Sequence, residues 1–319
     1  MTRRKWLNLL SYAVAVILLI VVVRCFMRRE QWSLLAGLPP WSVAAALLLA
    51  IPAYIGNGLE YYLLRDHFGF PMEKKDIVLL PLAMNLWGML LPVQGAMIYA
   101  SCYLKRKYEV SISRSLAISL FLYLITVFLS GVFGLLFAIF YHVSSWWFIG
   151  ISLVFLISPL LLWASWKLCR VLPVPKFLRP AADFLFGTLE DMVVLLRQRR
   201  LTALLVLVYV LRFIAFIVLY AWMARSLGYD RVSWVALFLL NLWNLLSLLV
   251  KFTPNNLGVM QLVSGLLFAV IGLKVEDGVV ISLAVNVVFT VVGLTAGAAA
   301  WIWSERSIKT RRAETSGGR

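Results

Sequence analysis

Long apolar stretches and short polar ones alternate along the chain, and the apolar stretches set the fold. A helix needs about 20 apolar residues to cross roughly 30 Å of hydrocarbon. Six such runs occur, at 6–26, 41–64, 113–141, 146–169, 201–226 and 277–303. Two more apolar regions, 76–103 and 233–273, are interrupted by proline, glycine and amides, in LLPVQGAM (90–97) and KFTPNNLGVM (251–260). The first is too short for two full crossings, so it is either one span or a re-entrant hairpin. The pattern predicts an all-α integral membrane protein.

Composition agrees: 63% of the residues are hydrophobic and 14% charged. A net charge of +16 would point to nucleic acid in a soluble protein. In a membrane protein it reflects cytoplasmic loops, which collect Lys and Arg and attract anionic inner-leaflet lipids, so no nucleic-acid partner is expected. The start, MTRRKWLNLLSYAVAVILLIVVVRC, has the outline of a signal peptide without a small-x-small cleavage site and is read as an uncleaved first span. Counting basic residues then decides the topology. If 76–103 returns to its starting side, with both termini cytoplasmic, 22 basic residues lie inside and 6 outside. If it crosses fully, 9 lie inside and 19 outside. The re-entrant arrangement follows. Eleven of the 13 tryptophans fall near span ends, where such rings favour the interface. The exceptions, Trp87 and Trp243, sit inside the interrupted regions.

Those two regions match. LPLAMNLWGMLLPVQGAM (80–97) and LFLLNLWNLLSLLVKFTPNNLGVM (237–260) both run Asn-Leu-Trp, leucines, Pro, amides, Gly, Met, and each leads through a charged loop into a long span. Three spans separate them, so the second enters from the opposite face. The prediction is six full transmembrane helices plus two broken hairpins in an inverted repeat, the arrangement of secondary transporters whose site lies near the midplane. The breaks at Pro92, Gly95, Pro254 and Gly258 must be buried in protein or line a wet cavity. One polytopic membrane domain (1–304) is expected, with repeat halves at about 41–141 and 201–303. A cytoplasmic linker and amphipathic helix at 170–200 and a basic disordered tail at 305–319 complete it.

LLPVQGAMIYASCYLKRKYEVSISRSLAIS (90–119) and FTPNNLGVMQLVSGLLFAVIGL (252–273) resemble the flippase-like family that shares the lysylphosphatidylglycerol synthase transmembrane region. The resemblance covers most of the chain in span order and about 50 residues at motif level. That family's second motif reads Pro-Gly-Gly-x-Gly-x-x-Glu. Here it is Pro254-Asn255-Asn256-Leu257-Gly258-Val259-Met260-Gln261, with amides for two glycines and for the acid. The first motif pairs Gly with Glu ahead of an arginine, whereas Gly95 is followed by Ala96 and no arginine precedes Lys105. With both acids replaced, ion coupling through them is not implied. With no soluble aminoacyl-transferase domain in the sequence, the resemblance implies movement of a lipid or lipid-linked headgroup rather than aminoacylation.

Arg212 lies at mid-span, where a charge costs on the order of 2.5–3.5 kcal/mol and needs a partner or a task. It either contacts a headgroup phosphate or pairs with Glu60. Lys251, at the second break, either meets substrate or caps a helix C-terminus. With Asn85, Gln94, Asn241, Asn244, Asn255, Asn256 and Gln261, these cations suit an anionic headgroup rich in acceptors, a phospholipid or a lipid-linked sugar. Each amide alone also fits interhelical packing. Gly293 and Gly297 form GxxxG spacing for helix packing, and Gly56-Asn57-Gly58 marks a helix weakness. Three separated cysteines and two histidines offer no metal spacing, and no cofactor is expected. The reading is an inner-membrane lipid transporter of bacterial type and not an enzyme. The alternatives are a lipid-modifying transferase using Glu60, Asp66 or His67, and a scaffold for a partner glycosyltransferase or other lipid-modifying enzyme.

Overall fold

The computed structural model describes residues 29–91, 94–140, 142, 146–171, 179–230, 232–239, 256 and 258–317. All regular structure among them is helical: α1 (Arg29–Ala36), α2 (Pro40–Phe68), α3 (Asp76–Leu90), α4 (Gly95–Tyr108), α5 (Ile112–Phe140), α6 (Trp146–Leu156), α7 (Ser158–Val171), α8 (Arg179–Arg197), α9 (Arg199–Ser226), α10 (Val259–Val270), α11 (Val275–Val292), a π-helical turn (Gly293–Gly297) and α12 (Ala298–Gly317). The described residues of Met1–Leu59, Glu73–Tyr99 and Val210–Arg319 cluster in one compact unit, and those of Glu60–Met72 and Ala100–Tyr209 in another. The first unit therefore holds described residues from both interrupted regions, 76–103 and 233–273.

Among the described residues, four helical stretches are long and apolar enough to cross a membrane: Pro40–Phe68, Ile112–Phe140, Arg199–Ser226 and Val275–Lys309. The expected span at 6–26 lies outside the described residues. The expected span at 146–169 is a bent pair, Phe148–Leu156 and Ser158–Leu168, meeting at 55°. Pro159 explains the bend, because it lacks an N–H and its ring clashes with the carbonyl four residues back. The described chain thus holds four spans, or five with the bent pair counted as one. α3 has 15 residues and α10 has 12, so at 1.5 Å per residue each is about 18–22 Å long, well short of a crossing.

In the first unit, α2 and α3 touch at Gly58. A Cβ there would lie 1.7 Å from the carbonyl oxygen of Ile77, so only glycine allows the approach. The expected weakness at Gly56–Gly58 is therefore a packing device, and α2 runs through it unbroken. The GxxxG pair behaves as expected. A Cβ on Gly293 would meet Met89 Sδ at 2.3 Å, and one on Gly297 the Leu82 carbonyl at 2.8 Å, so the last span seats α3 on its small residues. α10 and α11 pack as closely, with Gly278 against the Ser264 carbonyl and Phe268. Around them lies a core of Ala46, Ala50, Leu219, Tyr220, Phe268, Val280, Ile281 and Val285.

In the second unit, Gly131 of α5 brings α6 close, with the backbone of Ser152 and Leu156 inside 3 Å of a virtual Cβ. α8 forms where an amphipathic helix was expected. It packs on α5, where Ser113 and Thr188 share a hydrogen bond of 3.2 Å, and it buries Met192, Val193 and Leu195. Part of its apolar face is thus covered by protein rather than by lipid. Beyond the last span the helix continues to Gly317 and buries Ile308. A helix already nucleated by a span extends easily through Arg, Lys, Glu and Ala.

Candidate functional site

The first unit gathers polar side chains from four elements. From α2, Tyr54 accepts a hydrogen bond from Asn85 Nδ2 of α3 at 2.7 Å. The same nitrogen donates to the Phe289 carbonyl of α11 at 3.1 Å, just ahead of the π-helical turn. Each group thereby satisfies in protein what lipid would leave bare. The π-turn, a helix irregularity frequent at functional sites, faces Asn85 directly, since a Cβ on Gly293 would come within 3.0 Å of the Asn85 amide nitrogen. One turn back on α11, Asn286 is buried; its backbone carbonyl accepts from Thr290 Oγ1 at 2.8 Å, and its amide reaches Met260 Sδ of α10 at 4.0 Å.

The two breaks share a backbone signature. Gln94, immediately before α4, has φ +60°, and Gly95 fits only because a Cβ there would lie 2.3 Å from the Trp87 carbonyl. Tyr99, one turn on, stacks on the Trp87 ring with centroids 6.0 Å apart. At the second break Asn256 has φ +52° and Gly258 φ +82°, immediately before α10. Gln261 turns back over this helix start, its Oε1 accepting from the Gly258 N–H at 2.7 Å. Asn256 and Gln261 are both buried.

Arg212 sits in the middle of α9, half-buried, with its stem against Gly56 of α2; a Cβ on Gly56 would lie 3.2 Å from the Arg212 Cβ. Glu60 belongs to the second unit, where it is 3% exposed. The trio named for a transferase lies on one helix, α2. The Asp66 side chain is 83% exposed and pairs with Arg65 at 3.0 Å, while His67 Nδ1 bonds Gln198 Nε2 at 2.6 Å. Pro92, Asn241, Asn244, Lys251, Pro254 and Asn255 lie outside the described residues. Among the described residues no group of His, Cys, Asp or Glu is placed to hold a metal.

Of the residues expected at the site, the structure ties Asn85 to the seam and places Gln94, Gly95, Asn256, Gly258 and Gln261 at the breaks. Tyr54, Asn286, Thr290 and the π-turn were not foreseen. An amide in the middle of an otherwise apolar span was the available signal for Asn286, but the interrupted segments drew the weight. Nothing in GLTAG distinguishes a π-turn from regular helix.

A helical membrane protein with half-span helices, buried amides and a polar seam defines the class. The chain matches the lysylphosphatidylglycerol synthase TM region over residues 8–297, and it belongs to that family. Comparison with curated proteins and with solved structures gives no match. Membership marks an integral membrane protein related to lipid handling.

Proposed function

We propose that the protein moves an anionic phospholipid or a polyprenyl-phosphate-linked headgroup between the leaflets of a bacterial inner membrane, without modifying it. The observation that carries this reading is the recurrence of one local design: left-handed residue, short helix, left-handed residue, long helix. Gln94, α4, Glu109 (φ +59°) and α5 follow that order, and so do Gly258, α10, Gly272 (φ +75°) and α11. The recurrence supports the two broken hairpins of an inverted repeat. Non-helical backbone at depth is tolerated only where protein or a wet cavity satisfies it. The Tyr54–Asn85–Phe289 seam would offer a passing headgroup exchangeable hydrogen bonds, and Arg212 a counter-charge for its phosphate.

Purified protein in liposomes is expected to accelerate flipping of a fluorescent phosphatidylglycerol, and Arg212→Ala to slow it at least 10-fold. No acceleration by the wild-type protein with any anionic or polyprenyl-phosphate lipid would refute the reading.

A further inference from the structure

The second break carries a donor that has no partner among the described residues. Gln261 is the third residue of α10, 0% exposed, and its side chain folds back over the helix start. Its Oε1 is taken by the Gly258 N–H. Its Nε2 is also buried, with no hydrogen-bond partner among the described residues. Across the helix pair, Gly278 meets Ser264 and Asn286 meets Met260, so Ser282 of α11 lies between these contacts at the level of Gln261. The Ser282 hydroxyl is equally buried and without a partner among the described residues. A buried donor left unsatisfied costs roughly 1–3 kcal/mol, so two together call for an acceptor from elsewhere.

The surroundings say what kind. The first N–H groups of a 12-residue helix point out of its N-terminus with the positive end of the helix dipole, and Gln261 Nε2 sits at that end. No acid on α10 and none on α11 beyond Glu276 and Asp277, in its first turn, competes for them. The neighbouring positions of the helix pair are apolar and buried, with Met260 next to Gln261 in α10 and Ile281 next to Ser282 in α11. Donors without a fixed charge, among apolar neighbours, suit an anion that arrives attached to an apolar body.

From this geometry we infer a phosphodiester-binding subsite at the N-terminus of α10, with Gln261 Nε2 and Ser282 Oγ as side-chain donors and a membrane phospholipid as the ligand. The inference rests on the lipid-transport reading and deepens it by assigning the headgroup a docking point. It separates two roles of Gln261. Its oxygen holds the helix start, and its nitrogen reads the ligand. Gln261→Glu keeps an oxygen for the Gly258 N–H but turns the donor into an acceptor.

The test is binding of dioctanoyl-phosphatidylglycerol to the full chain in detergent, followed by native mass spectrometry and microscale thermophoresis. Dioctanoylglycerol and inorganic phosphate serve as comparison ligands. Wild-type protein is expected to bind the phospholipid with an affinity constant between pH 5 and 8, and diacylglycerol at least 10-fold more weakly. Gln261→Glu should lose at least 10-fold at pH 7.5 and recover part of it at pH 5, where a protonated carboxyl again donates. Ser282→Ala should lose a few-fold with an unchanged melting temperature, which keeps the test independent of the folding of the glutamate variant. Wild-type affinity in both variants at pH 7.5 would overturn the subsite. Equal binding of diacylglycerol would overturn the phosphate assignment, and displacement of the lipid by equimolar inorganic phosphate would overturn the lipid source. Flipping by the same proteins separates the two readings. A wild-type protein that binds but does not flip refutes transport alone, whereas flipping that survives both variants at the wild-type rate refutes the subsite alone.

Discussion

At Gly58, the hydrogen that stands where other residues have a side chain lets two backbones meet. Any Cβ would overlap the Ile77 carbonyl, and a carbonyl held in a helix has no rotamer with which to yield. Gly58→Ala is therefore expected to destabilise the protein by about 1–3 kcal/mol despite alanine's better helix propensity. Thermal unfolding in detergent measures this, and an unchanged midpoint would contradict the contact. The role was not readable from GNGLE, because glycine marks flexibility and close approach with the same letter. Asn85 was readable, since an amide amid leucines is expensive unless bonded. Its actual partners, a tyrosine 31 positions away and a carbonyl 204 positions away, depend on tertiary placement that no local pattern encodes.

At the scale of elements, hydrophobic length recovered the long helices, since a span is a local property. At 146–169 mean apolarity hides the bend that one proline introduces, and beyond 304 residues that form helix well carry the last helix on to Gly317. α8 adds a titration. Burial is the main influence on the Asp191 carboxyl and pushes it up, partly offset by Arg114 and His67, with Glu190 adding a smaller upward push. The folded form then holds a proton more tightly than the unfolded form, so this group costs stability as pH rises above the ordinary carboxylate range. Asp191→Asn is expected to leave α8 at least as protected from amide exchange at pH 7, with the difference vanishing near pH 4. Lower protection at pH 7 would mean that attraction to Arg114 outweighs burial.

For the whole molecule, charge asymmetry supplied a topology that neither helix lengths nor packing contain, because no membrane is part of the folded chain. It predicts a cytoplasmic position for α4's basic end. In a background lacking native cysteines, Lys105→Cys, an exposed position, should react with an impermeant maleimide only from the cytoplasmic side. Labelling from outside would turn 76–103 into a full span and reverse every later helix. The division into two compact units was not legible, since each unit is assembled from distant segments while the repeat signal runs along the chain.

The π-turn at Gly293–Gly297 also bears on how related chains should be aligned. A π-turn holds one residue more than the α-helical turn it replaces. A relative with regular helix here would be one residue shorter, and its gap belongs between 293 and 297 and nowhere else in the span. An alignment drawn without that gap would shift everything beyond it by one position. It would pair Trp301, which meets Trp87 edge-on at 5.7 Å, with a neighbour on another face of the helix.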